Sequence, residues 1–84
     1  IGNSDDKLTQ AQWAAFSERC NQIISSEAQS VYFFGFSPSG EPWQNACWVF
    51  ETHEDSHIKE KLTVTRYQFY QDSIAWIEGK TIFI

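Results

Sequence analysis

Residues 31 to 50, VYFFGFSPSGEPWQNACWVF, restrict the chain more than any other stretch, because two alternating runs meet there across a Pro-Ser-Gly-Glu-Pro break. Tyr32, Phe34 and Phe36 share one parity of the first run, and Ala46, Trp48 and Phe50 share one parity of the second. A period of two marks strands with one buried face. Pro38, with its φ fixed near −65°, suits the first central position of a type I turn, and Gly40 can take the positive φ that closes a longer loop. The stretch is expected to form a β-hairpin. Its ring-bearing parity is expected to face the core, since large rings gain most from leaving water. The opposite parity holds Phe33, Gly35 and Ser37 against Asn45, Cys47, Val49 and Glu51, so it is apolar in the middle and polar at its ends. Under the reverse assignment Tyr32, Phe34, Phe36, Trp48 and Phe50 would point outward, as Trp and Tyr do where proteins bind each other.

Before the hairpin the pattern is helical. Thr9 followed by Gln12 has the spacing of a capping box, and Leu8 can close on Trp13 as a hydrophobic staple. Trp13, Phe16, Cys20, Ile23 and Ile24 then recur at spacings of three and four, leaving Glu18, Asn21, Gln22 and Ser25 off the stripe. A helix is expected over 9–28, preceded by a flexible leader over 1–8. After the hairpin, Glu51–Lys61 is a dense run of charged residues and reads as a solvated connection. Strand pattern resumes with Leu62 and Val64, then shifts parity to Tyr67 and Phe69, which predicts a bulge near Thr65 and Arg66. Gln71-Asp72-Ser73 reads as a turn, Ile74–Glu78 as a short strand, Glu78-Gly79-Lys80 as a tight turn and Thr81–Ile84 as a last strand.

Strands joined by short turns pair antiparallel, because parallel pairing needs crossover segments. The expected architecture is therefore α+β: one N-terminal amphipathic helix packed on one face of a four- to five-stranded antiparallel meander sheet over 31–84. At 84 residues the chain is read as one domain near the lower limit for a core without a staple, which its 14 aromatic residues would have to fill densely. Cys20 and Cys47, if joined, would close a loop of about 28 residues worth on the order of 3 kcal/mol; left apart, they suit a reducing cytoplasm. A secreted or periplasmic location stays open, because the chain begins at Ile1 and a removed signal peptide fits that start as well.

Eleven acidic against six basic residues give a net charge of −5, which repels a phosphate backbone and disfavours nucleic acid as a partner. No apolar run is long enough to span a bilayer. His53-Glu54-Asp55-Ser56-His57 matches H-E-x-x-H, in which two imidazoles one helical turn apart hold zinc and the carboxylate activates water. That chemistry needs a helix, and strand-like residues flank the motif on both sides, so His53 and His57 read as part of a solvated connection. Neither cysteine lies where its thiol would be activated, no phosphate loop or nucleophile elbow is present, and none of these patterns is specific to a family.

These observations favour a non-enzymatic, cofactor-free interaction protein that binds another protein or itself through the sheet face that a single helix cannot cover. Tyr32, Phe33, Phe34, Phe36, Trp48, Val49 and Trp76 are the candidate contact residues. Small acidic inhibitors and immunity-type proteins use such properties. Two other readings remain: a small-ligand pocket between Trp13, Phe16 and rings such as Trp48 and Trp76, and a zinc-dependent hydrolase built on His53, Glu54 and His57.

Overall fold

The computed structural model describes residues 1–3, 7–38 and 44–84. Four elements follow one another: α1 (Gln10–Glu27), β1 (Ser30–Phe36), β2 (Ala46–Glu51) and α2 (Ser56–Gln68). The class is α+β, as the pattern predicts, but among the described residues the sheet has two strands rather than four or five. The second helix replaces the expected third strand.

The start of α1 follows its local chemistry. Thr9 Oγ1 accepts from the Gln12 amide at 3.2 Å, and Gln12 Oε1 accepts from the Thr9 amide at 2.8 Å, so the capping box is complete. Trp13, Phe16, Cys20, Ile23 and Ile24 are buried together with Leu8, Ala46, Ile58 and Leu62 in one core. Thr9→Ala leaves the Gln12 amide of the first turn without its side-chain acceptor. It is expected to cost about 1 kcal/mol, read as a lowered urea midpoint with unchanged slope.

α2 corrects the strand expected over 62–70 together with its bulge. Ile58, Leu62 and Thr65 lie on one face and are buried against α1, and Phe69 continues the stripe. Thr63, Val64 and Thr65 are β-branched and favour strands locally, but burial of this face outweighs that preference. Thr65 tolerates burial because its hydroxyl donates to Lys61 O at 2.9 Å within the same helix. The Glu54 carboxylate accepts from the Ser56 amide at 3.1 Å, satisfying one orphan donor at the start. At the far end Gln71 N–H donates to Arg66 O and Tyr70 N–H to Tyr67 O, a Schellman closure with Tyr70 at φ 55° where glycine is usual. Tyr70→Gly is therefore expected to stabilise the chain by about 1 kcal/mol, measured by the same urea titration.

The strands expected at Ile74–Glu78 and Thr81–Ile84 have no regular structure. Among the described residues neither segment pairs with β1, β2 or the other, so neither has the ladder that would make it a strand. Ile74 and Trp76 pack on the core, whereas Ile77, Ile82, Phe83 and Ile84 are exposed.

The expected leader is also tied down where it is described. Ile1 exchanges backbone hydrogen bonds with Ala46, and Asn3 N–H donates to Gln44 O at 2.7 Å, adding a short bridge beside β2. The buried Asn3 side chain accepts from Leu8 N–H and donates to Leu8 O, both at 3.0 Å. It thereby satisfies the backbone just before the α1 cap.

β1 and β2 pair antiparallel as expected, with Phe34 opposite Trp48 and Phe36 opposite Ala46. The turn expected at Gly40 lies outside the described residues. An irregularity falls between Val31 and Phe33, so the bulge of this protein is at Tyr32 rather than in the segment near Thr65.

Candidate functional site

That bulge decides which rings face where. In β2, Ala46, Trp48 and Phe50 turn toward the helices, and Trp48 Nε1 donates to Asn21 of α1 at 3.1 Å. Phe34 lies on the same face and stacks on Trp48, with ring centroids 4.7 Å apart and planes 5° from parallel. Phe36 is edge-on to Trp13 of α1 at 6.5 Å. Tyr32 shares their parity in sequence, yet the bulge turns it to the opposite face. There its hydroxyl donates to Glu51 at 2.6 Å, and that carboxylate raises the phenol's pKa above its ordinary value.

The outer face of the hairpin carries Tyr32, Phe33, Gly35, Cys47, Val49 and Glu51. Neither helix covers it. Tyr32, Phe33 and Val49 are 65 %, 55 % and 50 % exposed. Phe33 folds its ring over Gly35, where a built Cβ would lie only 2.5 Å from the ring tip. Glycine at 35 therefore leaves room for a ring that would otherwise stand fully in solvent.

The seven candidate contact residues thus divide among three places. Tyr32, Phe33 and Val49 meet on the outer face, and Phe34, Phe36 and Trp48 on the helix side. Trp76 lies away from both groups, edge-on to Phe50 at 5.6 Å, with the Lys59 ammonium 5.0 Å above its ring. A reading from parity alone misses the turn at Tyr32, because a bulge adds a residue without any marker in composition. It also misses the Phe33–Gly35 contact, for which an isolated glycine inside a strand pattern was the available signal.

No protein-family model, curated protein or solved structure matches this chain.

The chemical alternatives find little geometry. His53 precedes α2 and His57 belongs to its first turn, so the two imidazoles do not share a helical face. Among the described residues no group of three His, Cys, Asp or Glu side chains is placed to hold a metal ion. Cys20 is buried, which pushes its thiol up to about 11, whereas Cys47 is exposed on the outer face, and the two are not joined. A thiol reagent is expected to label one cysteine rapidly in the folded chain and the second only after unfolding; equal labelling of both would contradict this burial.

A cleft of about 200 Å³ lies between α2 and the segment after it, lined by Lys59, Leu62, Thr63, Arg66, Ile74 and Trp76. That is below the roughly 300–1,000 Å³ of common ligand pockets, and it is not between the α1 face and the sheet. Its cations are already engaged. Lys59 pairs with Asp55 at 3.0 Å, and Arg66 stacks on Tyr67 while donating to the carbonyls of Gln71 and Asp72.

Proposed function

We propose that this chain is a non-enzymatic interaction protein that binds another protein, or a copy of itself, through β1 and the outer face of its hairpin. The observation that carries the reading is β1 itself: six of its seven residues are exposed, including Val31, Tyr32, Phe33, Phe34 and Phe36. Isolated apolar side chains at a surface are ordinary. A contiguous strip of large rings on a strand with an open edge is what monomeric proteins usually cover, and it fits a docking surface.

The charge of −5 adds a preference among outside partners. It favours encounter with a basic protein, as in inhibitor or immunity-type roles. Two unjoined thiols fit work in a reducing compartment such as the cytoplasm. No described helix is long and apolar enough to cross a membrane.

The test uses two baits, the wild-type chain and a Phe33→Lys/Val49→Lys variant. Both sites are half exposed on the outer face, so the variant keeps the core. Capture of a partner, or an increase of mass in light scattering, is expected for wild type and is expected to be lost in the variant. A strictly monomeric wild type whose captured proteins match those of the variant would refute the reading.

A further inference from the structure

Antiparallel geometry fixes which backbone groups of β1 point away from β2. Ala46 exchanges its N–H and C=O with Ile1, at 2.9 and 3.0 Å, so its pairing with Phe36 is the open kind, without hydrogen bonds. Alternation along the ladder then makes Gly35 with Cys47 a bonded pair, Phe34 with Trp48 an open pair and Phe33 with Val49 a bonded pair. The N–H and C=O of Phe34 and Phe36 consequently point toward the far edge of β1. Among the described residues no strand pairs with that edge.

We infer that this edge pairs with the same edge of a second copy, antiparallel about a twofold axis beside Gly35, giving one continuous four-stranded sheet. The inference rests on the proposed function above and names its partner. A strand edge is self-complementary under a twofold rotation, so a closed dimer needs no second surface.

The register follows from what flanks the edge. Pairing centred on Phe34 sets Phe36 against the Tyr32 bulge, where the ladder is broken. Pairing centred on Phe36 sets Phe34 against Pro38, which has no N–H to give. Centred on Gly35, Phe34 of each copy meets Phe36 of the other, and each of these pairs exchanges both backbone hydrogen bonds. The two Gly35 residues then face each other as an open pair, with Cα atoms about 4.5 Å apart, and the Phe33 rings folded over them meet across the axis on the outer face. On the helix side the rings extend in one row, so that Phe34 and Phe36, left part-exposed by α1, cover each other across the axis.

Area and charge are consistent with a second copy. Tyr32, Phe33, Phe34 and Phe36 are between 38 % and 65 % exposed. At about 150–250 Å² per aromatic side chain, that leaves roughly 400 Å² of ring surface open on each copy. The smaller stable interfaces take about 600 Å² per partner, a total that Val31 and the backbone edge approach. The dimer is accordingly weak, with dissociation on the micromolar scale. Ser30–Phe36 carries no charge, so the excess acid of each chain is kept from the line of contact.

Sedimentation equilibrium of the intact chain from about 10 μM to about 500 μM, together with residue-resolved amide exchange, tests the inference. The mass is expected to rise from 9.8 kDa toward twice that value. The Phe34 and Phe36 amides are expected to slow by roughly tenfold or more over the same range, while Phe33 and Gly35, already bonded to β2, change little. Phe36→Pro deletes an outward donor and is expected to hold the chain monomeric with its far-ultraviolet spectrum unchanged; Phe36→Ala keeps the donor and is expected to retain part of the dimer. A doubled mass with freely exchanging Phe34 and Phe36 amides would overturn edge pairing and leave the broader binding reading standing. A constant 9.8 kDa would also overturn it, and capture by wild type but not by Phe33→Lys/Val49→Lys would then show that the broader reading survives alone.

Discussion

Phe16→Ala is expected to lower the unfolding free energy by about 3–5 kcal/mol, a large share of the roughly 5–15 kcal/mol that holds a small domain together. Phe16 is 1 % exposed and stands where α1 meets the end of α2. Its ring is edge-on to Trp13 one helical turn earlier at 6.4 Å, and 5.1 Å from Phe69 at the end of α2. Alanine would leave a cavity that neither helix can close without losing its own contacts. Urea unfolding should show a lower midpoint with unchanged slope, or no folded baseline. The matched substitution Phe33→Ala, at a half-exposed ring on the outer face, should cost far less, about 0.5 kcal/mol. A Phe16→Ala cost under about 1 kcal/mol would contradict the placement of the core.

Thr63→Pro is expected to cost about 3 kcal/mol or more, and it tests α2 directly. Thr63 is exposed in the interior of Ser56–Gln68, and its hydroxyl donates to Lys59 O at 2.7 Å. Proline there removes the amide that bonds to the same carbonyl and drives its ring against it. The loss should appear in thermal unfolding and as reduced helical signal in circular dichroism. Thr63→Ala, which raises helix propensity, should stay within about 0.5 kcal/mol of wild type. If residues 56–68 formed an edge strand, proline could be accommodated and the helical signal would not fall.

What could be read from the sequence follows the range of the interactions involved. The start of α1 is written in four neighbouring residues, Leu8, Thr9, Gln12 and Trp13, and all of its partners are local. The hairpin is nearly as local, since its parity and its turn residues lie within one stretch. α2 is obscured because its buried stripe, Ile58, Leu62, Thr65 and Phe69, includes a threonine and begins inside a run of charges. Its C-terminal stop uses tyrosine in place of glycine, which removes the usual signal. Asn3 could not be singled out at all. It is one polar residue in a polar segment, and its side-chain partners Leu8 and Gln44 lie 5 and 41 positions away. Of the candidate surface, Phe33 and Val49 were legible as an uncovered face. Tyr32 departs from the core-facing side expected of its parity, because alternation holds only until a bulge interrupts it.

Binding through the hairpin requires that β1 stand open in the single molecule. Hydroxyl-radical footprinting of a dilute, monomeric sample measures this most directly, by comparing oxidation of individual rings. Tyr32 and Phe33 are predicted to react far faster than Phe16 and Trp13, which are strongly protected relative to the urea-unfolded chain. Tyr32 and Phe33 as protected as Phe16 would mean that the chain already covers its own strand, and no surface would be left for a partner to bind.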